Sequence, residues 1–304
     1  MLFEKYRKLI AWIQLGLALV FTPILIAQSK KMMQIKGSDT MINLVQILAE
    51  EYMTKNPKSP IAVLGGGSGT GITALINGTT DVADHSRELN TKELNQMWEK
   101  GVKPRTFTIA VDGLSIIVNE KNPLTKLTMD QVGAIYRGDV KNWRAVGGNA
   151  QPISLYGRQS NSGTYTFLQE TALKNKNYSS DVKEMNGNAQ IIEGVLADEA
   201  AIGYVGVGYV LDKATGKPMK GLKVLLIAQD DKSEGYSPTD KAAVDTGKYP
   251  ISRGLYQSTN GKPGADIAAF LQFELGPDGQ RIVEREGFYP IGVKYVQENV
   301  KNLK

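Results

Sequence analysis

The sequence predicts an α/β protein of two lobes, each built on a mostly parallel sheet with helices on its faces. Two observations support this fold class. The chain has 304 residues, which is too long for one small core and suits two α/β lobes. Short apolar runs typical of strands alternate with segments of helical period, and glycine-rich turns join them, as in a parallel sheet.

The first elements form β–loop–α–β units. Apolar side chains at helical spacing predict a helix that Asn56-Pro57 stops, and Asn77-Gly78 is typical of the end of another helix. The predicted elements, in chain order, are a helix within 36–55, a strand at 60–64, a glycine-rich loop at 65–71, a helix at 72–76 and a strand at 81–83.

A second set of alternating elements follows residue 112. Its predicted strands lie at 113–118, 153–156 and 201–205, with a crossing strand at 249–253. The predicted helices span 164–173, 190–196 and 266–275. No internal repeat and no low-complexity segment is found.

Composition and charge exclude several classes of function. The net charge of +5 falls to +3 without residues 1–27, which hold three basic residues against one acidic residue. This balance, without a basic run containing aromatics, argues against nucleic-acid binding. The chain has no cysteine and a single histidine, His85, which excludes disulfides, thiolate zinc sites and imidazole-rich metal sites. We therefore expect no metal and no cofactor.

Residues 1–27 have the pattern of a secretory signal peptide. A short basic region precedes 19 mostly apolar residues, 9–27, which close on the small residue Ala27. An uncleaved membrane anchor is the alternative, because such a stretch nearly spans a bilayer. Pro23 and Ala27 favour cleavage. Either interpretation places the rest of the chain outside the cytoplasmic membrane, in the periplasm.

Three loops rich in glycine, serine and threonine each precede a predicted helix. They are Gly37-Ser38-Asp39-Thr40, Gly67-Ser68-Gly69-Thr70-Gly71 and Ser160-Asn161-Ser162-Gly163-Thr164. Each offers hydroxyls and unpaired backbone N–H groups at the positive end of a helix, which favours an anion. Arg158 would add a planar, two-pronged charge. Each loop alone also fits an ordinary N-cap, but together they predict an oxyanion site.

Two near-motifs do not support other functions. The segment 67–71 lacks the lysine–hydroxyl pair of a P-loop and the spacing of a dinucleotide-binding loop. Asp84, His85 and Ser86 are triad residue types, but successive side chains on a strand face opposite sides. We expect Ser86 in a cleft, His85 packed or on the surface, and no enzymatic activity. The alternative, an exported phosphatase, would need a metal cluster or an activated nucleophile, and one histidine without cysteine is a poor basis for either.

These loops, in this order, resemble the periplasmic phosphate-binding proteins of phosphate ABC importers, the PstS type, over residues 35–293. The supporting segments are 83–89, 135–148, 201–210 and 249–253. The resemblance implies a type II-like periplasmic-binding-protein fold in which two crossing hinge strands join the lobes. It implies one lobe of residues 34–110 with 252–304 and another of residues 111–251.

The resemblance also implies the function and the site. Such a protein captures inorganic phosphate between its lobes and delivers it, as a monomer, to the membrane permease subunits of the importer. The positions that match the family motif are Ser38, Thr40, the Met41 amide, Ser68, Ser86, Arg158, Ser162, Gly163 and Thr164. The same scaffold can serve another oxyanion, such as sulfate or molybdate, or a phosphate sensor.

One departure from the family pattern concerns selectivity. Many members have an aspartate at the position of Ser86, and that aspartate accepts a phosphate proton and thereby rejects sulfate. We expect Asp39 to take this role, with Asp84 as the weaker candidate, although Asp39 also fits a simple N-cap. Arg87 either adds a second charge to the site or pairs with a surface acid.

Overall fold

The computed structural model describes residues 31–213 and 215–304, and the predicted signal segment 1–27 lies outside the described residues. Thirteen strands are found in this part of the chain. They are β1 Met33–Gly37, β2 Ile61–Leu64, β3 Val82–His85, β4 Pro104–Gly113, β5 Ser115–Asn119, β6 Lys126–Thr128, β7 Ser154–Arg158, β8 Lys183–Met185, β9 Ala201–Val205, β10 Leu222–Val224, β11 Leu226–Ala228, β12 Gly235–Tyr236 and β13 Ser252–Asn260.

The described part also contains ten α-helices, of which the last three follow β13, and two short 3₁₀ helices, Trp143–Val146 and Val207–Tyr209. The α-helices are α1 Ile42–Lys55, α2 Ser68–Ile76, α3 Thr91–Glu99, α4 Met129–Arg137, α5 Gly163–Thr171, α6 Asn188–Ala197, α7 Lys241–Asp245, α8 Ala265–Leu275, α9 Pro277–Arg285 and α10 Val293–Leu303. Within the described residues, no helix combines the length and apolar character needed to cross a membrane.

The first lobe is built on a five-stranded sheet in the order β2-β1-β3-β13-β4. β1 pairs in parallel with β2 and β3, as the β–loop–α–β units predict, whereas β13 runs antiparallel to both of its neighbours. Apolar residues of α2 and α3 pack on one face of this sheet, including Ile72 and Met97 beside Ala83. The carboxyl ends of β1 and β3 therefore meet at one edge of the first lobe.

The second lobe contains a five-stranded sheet in the order β10-β5-β9-β7-β8 and a small sheet of β12, β11 and β6. β7 is parallel to β8 and β9, while β5 is antiparallel to both of its neighbours. Both large sheets are thus mixed. The antiparallel pairs arise where strands enter or leave a lobe, and the parallel pairs arise from the βαβ units.

Two crossing strands join the lobes. β4 ends at Gly113 and β5 begins at Ser115, so the chain changes sheet at Leu114, and β13 brings it back. The crossings run side by side, because the Leu114 amide donates to the Ile251 carbonyl at 2.9 Å and Ser252 pairs with Gly113. The predicted crossing strand begins three residues late in the structure, and β4 was not among the predicted strands. The predicted strand 201–205 matches β9.

Candidate functional site

The first loop follows β1 at the edge of the sheet where β3 also ends. Gly37 has φ of 149°, and a Cβ there would lie 2.0 Å from the Asp84 carbonyl oxygen, so the chain can turn here only with glycine. The Ser38 amide donates to the same carbonyl at 2.9 Å. Ser38 and Thr40 are buried. The Met41 amide, expected as a ligand donor, instead donates to the Ser38 carbonyl at 3.0 Å and closes a turn.

Asp39 joins the first loop to Gly66, just before the second loop, and to Arg158, just before the third. Its Oδ1 accepts from the Gly66 amide at 2.7 Å, and its Oδ2 lies 2.5 Å from Nη2 of Arg158 in the second lobe. The expected alternative, an N-cap, is not found, since α1 has no side-chain cap. Asp39 is therefore a bridge between the lobes.

The second loop places Ser68 beside Ser86. Helix α2 begins at Ser68, four residues earlier than predicted, so this hydroxyl stands in the first turn of the helix. Ser68 Oγ accepts from the Ser86 amide at 3.1 Å and lies 3.4 Å from Ser86 Oγ. Both side chains are fully buried. The two hydroxyls therefore lie side by side where β3 ends and α2 begins.

The third loop brings the start of α5 against these hydroxyls from the second lobe. Ser162 caps α5, because its Oγ accepts from the amides of Thr164 and Tyr165 at 3.2 and 3.5 Å. A Cβ on Gly163 would lie 2.3 Å from Ser68 Oγ and 2.8 Å from Ser86 Oγ. Only glycine allows the lobes to approach this closely.

The three loops converge, as the sequence predicts. Thr40 Oγ1 of the first loop lies 2.8 Å from Thr164 Oγ1 of the third loop. The second and third loops are joined by the Gly69 amide, which donates to the Asn161 carbonyl at 2.9 Å. Hydroxyls and helix starts from both lobes thus lie close together, an arrangement that suits an oxyanion.

Arg158, the expected source of positive charge, pairs with Asp39 of the first loop. It is buried, its Nε donates to the Met185 carbonyl at 3.3 Å, and its Nη2 donates to Asp39 and to the Asn186 carbonyl at 3.0 Å. Its Nη1 is buried and finds no hydrogen-bond partner among residues 31–213 and 215–304. A buried guanidinium nitrogen without an acceptor is costly, and an oxyanion would satisfy it.

A second buried arginine lies beside the site, and the sequence interpretation gave it no role. Arg253 on β13 donates from Nε and Nη2 to Asp112 Oδ2 at 3.0 and 2.8 Å. It also donates from Nη1 to the Ser86 carbonyl at 3.0 Å and from Nη2 to Thr164 Oγ1 at 3.1 Å. The available signal was Asp112, one acid inside the apolar run 107–118.

The backbone of Asp84 meets the first loop, but its side chain lies in a buried group with Gln257 and Glu274. Burial raises the pKa of Asp84 to about 8, although a hydrogen bond from Gln257 opposes the shift. Burial and the neighbouring Asp84 raise the pKa of Glu274 well above its usual value. Asp84 therefore has the character of a neutral core acid rather than of an acceptor in the cleft.

His85 and Arg87 have structural partners. His85 is fully buried, donates from Nδ1 to the Arg87 carbonyl at 2.6 Å, and accepts at Nε2 from Ser258 at 2.8 Å. Burial lowers the pKa of His85 to about 4. Arg87 pairs through both terminal nitrogens with Glu93 at 2.8 and 2.6 Å, which decides between its two alternatives. Among the described residues, no group of three or more potential metal ligands is found.

Known proteins that are similar to this chain agree with one another in their family. Residues 26–278 match the family model described as a PBP superfamily domain. The phosphate-binding protein PstS of Pseudomonas aeruginosa is 33% identical over 284 residues, which cover 88% of this chain and 85% of the relative. PstS of Borreliella burgdorferi is 29% identical over 274 residues, which cover 88% of this chain and 91% of the relative.

Solved structures agree with these relatives. A phosphate ABC transporter substrate-binding protein with bound phosphate from Clostridium perfringens is 26% identical, with a TM-score of 0.75 over 86% of this chain and 100% of the other. An ABC-type phosphate transport receptor from Vibrio cholerae is 27% identical, with a TM-score of 0.67 over 84% of this chain and 99% of the other. The chain belongs to the PBP superfamily and, within it, to the PstS-type phosphate-binding proteins.

Proposed function

We propose that this protein is an extracytoplasmic solute-binding protein that captures inorganic phosphate between its lobes and delivers it to the permease subunits of an ABC importer. The observation that carries the proposal is the convergence of the three loops, together with Arg158, which is bound to Asp39 of the first loop and has a buried Nη1 without an acceptor among the described residues. Tetrahedral oxyanions suit such a set of donors, because each oxygen can accept more than one hydrogen bond.

The proposed ligand contacts come from both lobes. Ser38, Thr40, Ser68 and Ser86 would donate from the first lobe. Arg158, Ser162, Gly163 and Thr164 would donate from the second lobe, through the guanidinium, the hydroxyls and the amides at the start of α5. The Met41 amide is not part of this set, because it donates to Ser38. Ser162 Oγ accepts two amides as a cap, which directs its own proton outward.

Asp39 is the proposed acceptor for the proton of a partly protonated phosphate. It lies beside Arg158 and the Gly66 amide, at the junction of the lobes. A carboxylate here would bind the P–O–H group and repel sulfate, which has only lone pairs to present. Asp84, the weaker candidate, lies with Gln257 and Glu274 in a buried group.

We propose residues 34–110 with 252–304 as one lobe and 111–251 as the other, a division that differs from the membership of the two large sheets at 111–113, the last residues of β4. Contacts between Asn161 and the second loop hold the lobes together: its side chain donates to the Gly66 carbonyl at 2.9 Å. Phosphate would stabilise this closed arrangement, and the permease would recognise it. We expect the protein to act as a monomer, without catalysis, after export through residues 1–27.

Calorimetry with phosphate, sulfate and molybdate tests the proposal. The protein is first unfolded, washed free of anions and refolded, so that copurified ligand does not mask binding. We expect phosphate to bind more than about tenfold more tightly than sulfate or molybdate, as donor and acceptor complementarity predicts. Equal binding of all three, tighter binding of another anion, or no binding of phosphate would overturn the assignment.

A further inference from the structure

The guanidinium of Arg253 touches both lobes at the base of the oxyanion site. It donates to the Ser86 carbonyl in the first lobe and to Thr164 Oγ1 in the second, at 3.0 and 3.1 Å. The ring of Phe167, one turn along α5 from Thr164, lies 5.2 Å from the guanidinium carbon. Arg253 therefore contacts two proposed ligand residues that are 78 residues apart in the chain.

Asp112 fixes the orientation of this guanidinium. Its Oδ2 accepts from Nε and Nη2 of Arg253, while its Oδ1 accepts from the Val207 amide in the second lobe at 2.8 Å. The side chain of Asp112 is completely buried, and that of Arg253 is 2% exposed. Because the planar fork is held on its Nε side, Nη2 points at Thr164 in a fixed direction.

The bond from Arg253 determines where the Thr164 hydroxyl sends its proton. A threonine hydroxyl has one proton and two lone pairs. Nη2 of Arg253 occupies one lone pair of Thr164 Oγ1, so the proton must point away from Arg253. The other group within hydrogen-bond distance is Thr40 Oγ1 of the first loop, at 2.8 Å. A bound oxyanion would receive this proton instead.

We propose that Arg253 is a positioning residue of the site: with Asp112 as its anchor, it orients the Thr164 hydroxyl as a donor to the bound oxyanion. This inference rests on the proposed function. Arg253 adds little net charge, since Asp112 balances it at 2.8 Å. Arg253 acts on the ligand through Thr164, whereas Arg158 is proposed to contact the ligand directly.

A double-mutant cycle measured by phosphate calorimetry tests the inference. One side of the cycle is Thr164→Val, and the other is the combined change Arg253→Gln and Asp112→Asn, which removes both buried charges together. Each side alone should weaken phosphate binding by about tenfold, the effect of one well-placed hydrogen bond. All three changes together should also weaken it by about tenfold, because both sides remove the same donor. Arg144→Gln, an exposed arginine of the second lobe, is the control.

The outcomes separate the inference from the function on which it rests. Wild-type protein that binds no phosphate overturns both. Wild-type protein that binds normally, with effects that multiply to about a hundredfold in the combined variant, overturns the inference alone. So does an unchanged affinity when Arg253 and Asp112 are replaced. Should that variant not fold, Arg253→Lys replaces it in the cycle, since lysine keeps the charge but loses the fork.

Discussion

Two aspartate–arginine pairs lie at the junction of the lobes, and they differ in what they leave unpaired. In the pair of Asp39 and Arg158, the carboxylate is 17% exposed and one guanidinium nitrogen has no acceptor within the described residues. In the pair of Asp112 and Arg253, both side chains are sealed, and Nε, Nη1 and Nη2 all have partners. The first pair is suited to gain a ligand, whereas the second is complete without one.

This difference has an energetic meaning. A buried ion pair is stabilising only when its remaining donors and acceptors are satisfied. Asp112 and Arg253 meet this condition through Val207, Ser86 and Thr164. Arg158 does not meet it, because its Nη1 lacks an acceptor among the described residues, and a bound oxyanion can supply that missing hydrogen bond. The comparison therefore predicts that Asp112 and Arg253, the sealed pair, control stability. It predicts that Asp39 and Arg158, the open pair, control affinity.

The largest expected effect is on stability, from Arg253→Met. It leaves Asp112 as an unpaired buried carboxylate, and we expect the free energy of unfolding to fall by about 3–5 kcal/mol. Urea denaturation without phosphate measures it. Arg158→Met should cost less, because Asp39 keeps the Gly66 amide and some contact with water. Equal losses from the two variants would contradict the distinction between the pairs.

The next effect is on affinity, from Arg158→Met. Loss of a desolvated guanidinium should weaken phosphate binding by about a hundredfold, the effect of a charge-assisted hydrogen bond of a few kcal/mol. Calorimetry measures the dissociation constant, and Arg144→Met serves as an exposed control. Near-normal binding by the Arg158 variant would mean that the anion lies elsewhere.

A smaller effect is expected on selectivity, from Asp39→Asn. The amide keeps the size of the carboxylate but can turn a donor toward the ligand, so sulfate no longer meets an opposing lone pair. We expect the preference for phosphate over sulfate to fall by about tenfold, close to the value of one hydrogen bond. Competition between the two anions measures the ratio. If the ratio does not change, Asp39 serves only to bridge the loops.

The sequence indicated the loops around the open pair but did not indicate the sealed pair. Ser68, Gly163 and Thr164 were predictable because a helix start with small and hydroxyl residues is a local pattern that dictates local chemistry. Asp112 and Arg253 are 141 residues apart, and each looks like an ordinary charge near a strand end. Only the pairing of β4 with β13 brings them together. The role of Asp39 as a bridge depends on the same kind of long-range contact.

The fold follows the same division. Strand 201–205 was predictable because every residue in it is buried and apolar or small, which fits a central strand. β4 was missed because its first three residues, Pro104 to Thr106, are only half-buried, while the rest of the strand continues into the apolar run around the lobe crossing. The local pattern of apolar and polar residues cannot reveal a strand that is half-buried at one end and fully buried at the other.

The smallest expected effect is the change in the free energy of unfolding with pH. It extends the comparison to Asp84, a buried acid that forms no ion pair with an arginine among the described residues. Because the pKa of Asp84 rises from its ordinary value of 3.8 to about 8 on folding, the folded protein holds a proton that the unfolded chain releases. Between these values the unfolding free energy should fall as pH rises, by at most about 1.4 kcal/mol per pH unit from this group. Asp84→Asn should flatten the profile measured by urea denaturation at pH 5, 6 and 7. Asp130→Asn, an exposed acid, is the control and should leave the slope unchanged. Equal slopes for the wild type and Asp84→Asn would show that Asp84 is ionised in the folded protein.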